Sequence, residues 1–478
     1  MNVQKNIRKI LLAGLLLLVL NGCTMAPEYL RPALPVADTF PALNGQQIEP
    51  AEGALKAGKV SELGWRNVFT DPVLQQLIET ALVNNRDLRE TILNVDAYQA
   101  LYRIQRSALL PAITVEGFGR KQRSLSGASH VTSEVYSLDV GTTAYELDLY
   151  GRVRNLKDQA LDQYLALQET HKSATISLIA EIARAYLTWL TDRELLQISE
   201  DTRKVEEESY SLIEQRAVAG IANQLDLAQA RTSLETVKAN LALYQRQVAQ
   251  DLHALTLLTG TSLPKTLLNE SGLLSDLELI SVMPSTLSST VLLERPDIMA
   301  AEHQLIGANA NIGAARAAFF PTVSLTASAG VISSDLSDLF DSGSGSWLFS
   351  PAISVPIFTA GRLTAELDVA KIEKEIFVAQ YEKTIQTAFR EVSDALVASE
   401  TYRDQLRAQK ANLVANEDYY TLARDRYQQG VDSFLVLLDA QRSLYSSRQN
   451  YLTLNLAQLA NQVDLYKVLG GGWKEQTE

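Results

Sequence analysis

Apolar side chains return every three or four positions along residues 153–219, at Leu156, Ala160, Tyr164 and Leu167, and again along residues 362–429, at Val369, Ile372, Ile376 and Ala379. Charged and amide side chains fill the gaps, and neither stretch holds a Gly or Pro before its last residue. That spacing predicts long helices packed as a coiled coil with one side in water. At 1.5 Å per residue, roughly 67 residues make a rod of roughly 100 Å, against about a dozen residues for an ordinary helix. Gly220 and Gly430 end the rods, Asn223 in one case and Asp432 and Ser433 in the other supply caps, and a second breaker-free helix follows over 221–259 and 431–469. Each half therefore predicts a helical hairpin with a tight tip. A further helix precedes each hairpin, over 72–110 and 286–320.

Between residues 111 and 151, and again between 321 and 361, the period changes from 3.6 to two. Val323, Leu325, Ala327, Ala329 and Val331 face one way, and Thr322, Ser324, Thr326 and Ser328 the other. About ten alternating residues suit a tilted membrane strand. The next strand carries Trp347, Phe349, Ile353, Val355 and Ile357 on one face. In the first half Tyr136, Leu138 and Val140 alternate, then Tyr145, Leu147 and Leu149 alternate in the opposite phase, which predicts a bulge near Gly141. Polar loops are expected at 120–134 and 333–346.

These halves are one sequence written twice. Asn85-Arg86-Asp87-Leu88 answers Arg295-Pro296-Asp297-Ile298, Pro111 answers Pro321, Gly151-Arg152 answers Gly361-Arg362, and Gly220 and Gly260 answer Gly430 and Gly470, all at one offset of 210 residues. A duplicated unit is the reading. It divides the chain into residues 1–22, 23–70, a first repeat 71–260, a linker 261–283, a second repeat 284–470 and a tail 471–478.

The ends change the picture. Lys5, Arg8 and Lys9 precede an apolar run over 10–20, too short to span a bilayer, and the run stops at Leu20-Asn21-Gly22-Cys23. This resembles the lipobox of bacterial lipoproteins, which implies cleavage before Cys23 and a covalent lipid on it. Cys23 is the single cysteine, so no internal disulfide exists. Residue 24 is Thr rather than Asp, which favours the outer membrane. No stretch of about 18 apolar residues follows Cys23, so any crossing is by β-strands. The formal charge of −13, with no basic patch, argues against nucleic acid. The fold class expected is an α+β membrane protein. Four strands cannot close a barrel around a channel, and lipid forbids open edges, so copies must pool their strands. Three chains would give a twelve-strand barrel, continued by a barrel of their own long helices reaching into the periplasm.

Leu293-Glu294-Arg295-Pro296-Asp297-Ile298, Phe319-Phe320-Pro321, the run from Pro356 to Arg362, the run from Gly430 to Arg442 and the run from Leu465 to Trp473 are similar to the outer-membrane efflux lipoproteins of the OprM/NodT type, relatives of TolC. The resemblance covers nearly the whole mature chain. It implies a homotrimer with a passive tunnel, joined to a periplasmic adaptor and an inner-membrane transporter of the RND type, with no cofactor beyond the lipid. It also implies a periplasmic gate at Leu435 and Asp439, where three leucines constrict the mouth and three carboxylates repel one another. Asp432 and Asp226 are further candidates for an acidic ring. Arg426 and Tyr427 match positions that hold the tip closed. The small turns at Gly220, Gly430 and Val431 suit docking of an adaptor.

No catalytic constellation competes. His130, His171, His253 and His303 lack ligand spacing, and Gly343-Ser344-Gly345 sits in a polar loop rather than at a strand-to-helix turn. The rival expectations are a protein-secretion duct, a metal-ion exporter, or a periplasmic coiled-coil scaffold without a pore.

Overall fold

The computed structural model describes residues 24–41, 64–126, 129–264, 267–268, 271–277, 279 and 288–475. Cys23 and the leader before it lie outside the described residues. The principal helices are α1 (Pro72–Asn84), α2 (Arg86–Ser107), α3 (Arg152–Val218), α4 (Gln224–Thr259), α5 (Pro296–Ala317), α6 (Arg362–Gln428) and α7 (Phe434–Val468). The strands are β1 (Thr114–Ser126), β2 (Ser129–Leu147), β3 (Thr322–Ser333) and β4 (Gly345–Ser354). The chain divides into two units. One holds residues 94–168 and 300–382, and the other holds 169–299 and 383–478 together with 34–93.

In the first unit the four strands form one antiparallel sheet in the order β1-β2-β3-β4. Cross-strand partners share a face, so the register sorts the side chains. Val115 pairs with Val140 and Val140 with Ala329, Leu325 pairs with Tyr145, and Trp347, Phe349 and Ile353 pair with Ala329, Ala327 and Val323. This makes one continuous apolar face, and in the single chain Trp347, Phe349 and Ile353 are 79%, 61% and 70% exposed. The opposite face carries Glu116, Asp139, Ser324, Ser328 and Ser350. Apolar on one side and polar on the other is what lipid against an aqueous lumen requires. Both β1 and β4 end the sheet with an unpaired edge.

The phase flip in β2 comes from a bulge close to Gly141, as expected, between Thr142 and Tyr145. Thr142 pairs with Ala327 and Tyr145 with Leu325, so β2 spends one residue more than β3 there. Ala144 takes φ 53°, and its N–H donates to the Thr326 hydroxyl at 3.0 Å. Gly330 permits close approach across the same pair, because a Cβ there would lie 2.2 Å from the Leu138 carbonyl oxygen.

Three expectations need correction. Residues 120–126 and 129–134 are not loop, since β1 and β2 run through them in unbroken register from Thr114–Gly141 to Ser126–Ser129, and residues 127–128 lie outside the described residues. Polar residues can extend a hairpin beyond the lipid, where backbone pairing needs no apolar face. The helices over 72–110 and 286–320 are each broken, at Asn85 and Arg295, which occupy the same place in the two repeats. Asn85 has ψ 132° and Arg295 ψ 133°. The Asn85 carboxamide accepts from the Leu88 N–H at 2.8 Å and so starts α2. Arg295 precedes Pro296, which disfavours the helical region. The side-chain cap expected for α7 at Ser433 is not formed either.

In the second unit α1 packs against α4. In this unit Leu74, Leu77 and Ile78 of α1 and Ile179, Ile182 and Tyr186 of α3 are fully buried. Asp71 caps α1 through the Leu74 N–H at 2.7 Å, and Pro72 opens the helix without wasting a donor. Tyr466 meets Phe69 edge-on at 5.3 Å, and its hydroxyl donates to the Gly472 carbonyl at 3.0 Å. Arg295 is satisfied by Asp297 at 2.7 Å, Glu391 at 3.1 Å and the Val468 carbonyl at 2.7 Å. The quoted Arg-Pro-Asp motif is thus a structural cross-brace that joins α5, α6 and the end of α7.

Candidate functional site at the helical tips

Both tips lie in the second unit and are built alike. Gly220 has φ 72° and Gly430 φ 74°, the left-handed conformation that ends a helix without a Cβ penalty. The Ile221 N–H donates to the Arg216 carbonyl at 2.8 Å and the Val431 N–H to the Arg426 carbonyl at 2.9 Å, which closes the last turn of α3 and of α6. Asn223 then caps α4 through the Asp226 N–H at 2.8 Å. Ser433 occupies the same place before α7 but makes no side-chain cap bond. Asp432 makes none either, because Arg426 holds its carboxylate through two bonds of 2.6 and 3.0 Å. That guanidinium keeps the Asp432 carboxyl below its ordinary pKa.

Beneath the tips Ile213, Ala230, Phe434, Leu437 and Leu438 form a small core, with Tyr210, Leu227, Tyr420 and Tyr427 packed on it. This core joins the α3–α4 hairpin to the α6–α7 hairpin. Phe434, Leu437 and Leu438 therefore fix which face of α7 is inward. Leu435 and Asp439 fall on the other face, where Leu435 is 54% exposed. The Asp439 carboxylate accepts from the Tyr419 hydroxyl at 3.0 Å, and this bond to an anion raises the Tyr419 pKa. Leu435, Asp439 and Asp432 are thus gathered at one end of α7, next to Gly430 and Val431. Val431 and Ile221 are 58% and 76% exposed, so apolar side chains sit on both tips.

The partners of the two proposed holding residues divide. Arg426 reaches only across its own turn to Asp432, whereas Tyr427 reaches the other hairpin and accepts from Arg216 Nη1 at 2.7 Å. Sequence reading missed Arg216 and Tyr419. The repeat carried a signal for the first, because Arg216 and Arg426 are counterparts at the 210-residue offset. No pattern pointed to Tyr419. The histidines do not converge. His303 Nδ1 lies 3.0 Å from Asp162, and His171 lies beside Thr91 with its pKa lowered by burial. Among the described residues no three His, Cys, Asp or Glu side chains come together as a metal site.

The sequence matches the family "Outer membrane efflux protein" twice, over residues 77–261 and 287–471, again at an offset of 210 residues. It is 51% identical over 464 residues to the probable efflux pump outer membrane protein TtgC of Pseudomonas putida, covering 96% of this chain and 94% of that protein. It is 41% identical over 460 residues to the cation efflux system protein CusC of Escherichia coli, covering 96% and 97%. The fold superimposes on the open-state crystal structure of the Neisseria gonorrhoeae MtrE outer membrane channel with a TM-score of 0.88 at 38% identity, over 95% of this chain and 100% of that one. Channels of this fold are trimers that join a β-barrel to a long helical barrel, and the four-strand sheet, the rods and the duplication are one chain's share of it. The chain belongs to the outer membrane efflux proteins and is the outer-membrane component of an efflux pump.

Proposed function

We propose that this chain is the passive exit duct of a tripartite pump that discharges small toxic organic compounds, antibiotics and solvents among them. A proton-driven inner-membrane transporter of the RND type supplies the energy, and a periplasmic adaptor seats on the tips around Gly220, Gly430 and Val431. Cys23 carries a lipid that holds the mature N-terminus at the inner leaflet of the outer membrane. Leu435 and Asp439, with Asp432 beside them, form the resting gate. The observation that carries the reading is the exposed Leu435–Asp439 face at the end of α7, turned away from the core that fixes that helix. A buried pair would have been packing, whereas Leu435 is left bare one turn from the Asp439 carboxylate. Three copies around an axis give a dry ring and a charged ring in series. The organic cargo is supported by 51% identity to Pseudomonas putida proteins named for antibiotic and for toluene efflux, against 41% to CusC, named for cation efflux.

The test is complementation. A host lacking its own outer-membrane efflux channel, supplied with this chain and a matching transporter and adaptor, should regain resistance to hydrophobic antibiotics and toluene. Restored copper or silver tolerance without drug tolerance would move the cargo to metal ions. No restoration with any transporter would end the proposal.

A further inference from the structure

In the second unit α3, α4 and α7 line a cleft of about 340 Å³. One water needs about 15 Å³ of such space. A smaller cleft of about 110 Å³, lined by α3, α6 and α7, shares Thr202, Glu206, Gln441 and Tyr445 with it. Glu206 and Gln441 thus border both spaces, and they are only 2% and 7% exposed. Each leaves an oxygen unused. The Ser233 hydroxyl donates to the Glu206 carboxylate, yet Glu206 Oε2 has no hydrogen-bond partner among the described residues. Gln441 Nε2 donates to the Ser209 hydroxyl at 3.5 Å, and its Oε1 is the unpartnered end.

The rest of the lining has spent its donors. Thr202, Thr232 and Thr236 give their hydroxyl protons to the carbonyls of Ile198, Ala228 and Thr232, at 2.7, 2.8 and 2.8 Å. Asn240 Nδ2 donates to the Tyr445 hydroxyl at 3.2 Å, and Gln449 Nε2 to the Tyr244 hydroxyl at 2.9 Å. What these side chains have left is lone pairs. Arg442 is the one cation of this lining, and it is exposed and donates to the Gln229 carbonyl at 3.5 Å. A charged oxygen kept bare in a buried place is costly. The fold does not demand that charge, because the counterpart of Glu206 at the 210-residue offset is the uncharged Asn416. Burial raises the Glu206 pKa, and a bound cation would offset that.

We propose that the cleft between α3, α4 and α7 binds a primary organic ammonium, with Glu206 Oε2 and Gln441 Oε1 as its acceptors and Val237 beside its alkyl chain. An ammonium brings three N–H donors and one positive charge, which is what the two oxygens lack. A bare alkali ion would leave most of the space to water. A passive exit duct needs no such site in its wall, so the assignment goes beyond that reading and does not rest on it.

Isothermal titration calorimetry on the detergent-purified full-length protein tests it. The probe is n-butylammonium chloride, compared with 1-butanol and tetramethylammonium chloride. Butanol has the chain without the charge, and tetramethylammonium has the charge without N–H donors. Both should bind about tenfold more weakly than butylammonium or worse, because a hydrogen bond to a charged group is at stake. Glu206→Gln keeps the side-chain size and should weaken butylammonium about tenfold. Gln441→Leu should weaken it by a smaller factor. No binding of butylammonium to the wild-type protein overturns the proposal. Equal binding of the two cations overturns it too, since it would reflect only the net charge of −13. Undiminished binding to Glu206→Gln, with loss in Asp439→Ala, would place the amine at the gate instead. Should Glu206→Gln fail to fold, the ranking of the three probes on the wild-type protein decides.

Discussion

Arg216 donates to the Tyr427 hydroxyl at 2.7 Å and at the same time lies over that ring, 5.6 Å from its centroid. One side chain at the end of α3 thus holds the end of α6 in two ways. The bond crosses between the two repeats, whereas Arg426 and Asp432 tie one tip to itself. If the gate opens by parting the hairpins, Arg216 resists it and Arg426 does not. Arg216→Ala should raise single-channel conductance in planar bilayers more than Tyr427→Phe, which keeps the ring and loses one hydrogen bond of about 1 kcal/mol. Equal conductance in wild type and Arg216→Ala would show that the tie is incidental.

The resting constriction makes a second prediction. Leu435→Ala with Asp439→Ala removes the apolar plug and the charged ring together and should increase conductance several-fold. Tyr419→Phe frees the Asp439 carboxylate without removing it and should change cation selectivity more than conductance. Unchanged currents in the double variant would move the gate elsewhere.

A third prediction concerns pH. Asp192 is 8% exposed and its pKa is pushed up to about 7, first by burial and then by the charge of Asp251, to which it is hydrogen-bonded. The folded protein therefore keeps a proton that the unfolded chain releases near the ordinary aspartate value of 3.8. More protons bound when folded means that stability falls as pH rises between about 4 and 7. Thermal melting in detergent should show Tm declining by several degrees over that window, and Asp192→Asn should flatten the decline. A melting temperature that rises through the window would contradict the assignment.

Asn85 makes the fourth. Its carboxamide accepts from the Leu88 N–H at 2.8 Å and donates to the Leu258 carbonyl at 2.9 Å, so it starts α2 and fastens it to the end of α4. Asn85→Ala should cost about 1–3 kcal/mol, since a cap is lost together with the bond to the half-buried Leu258 carbonyl. Asn85→Asp keeps the cap and loses the donor, so its melting temperature should fall between the two. Equal melting of all three proteins would remove the role.

Much of this was legible because periodicity reports burial directly. The 67-residue helices α3 and α6 were bounded to within a residue or two, because Gly220 and Gly430 are the first breakers in their paths. The strand around Val323 and Val331 was clear because its two faces meet different media. The breaks at Asn85 and Arg295 were not, since neither residue interrupts the apolar pattern and the bend is fixed by contacts with Leu258 and Val468, each 173 positions away in sequence. The strand character of residues 120–126 and 129–134 was hidden for the opposite reason. Polar side chains dominate both faces there, so nothing alternates. At the tips, Leu435 and Asp439 were found through resemblance, and their exposure depends on Phe434 and Leu438 turning the other way.

The sequence by itself determined the length of the rods, the place of the helical tips, the duplication and the number of strands, because each follows from local pattern and from where Gly and Pro fall. Only the tertiary structure decided which side chains of the two repeats touch. Two halves that share a pattern have diverged in their contacts, so the Arg216 bond to Tyr427 has no counterpart at Arg426, and the polar joint at Asp162 and His303 faces apolar residues at the equivalent places. Periodicity specifies which face of a helix is buried, whereas the partner on that face is chosen by packing between segments far apart in the chain.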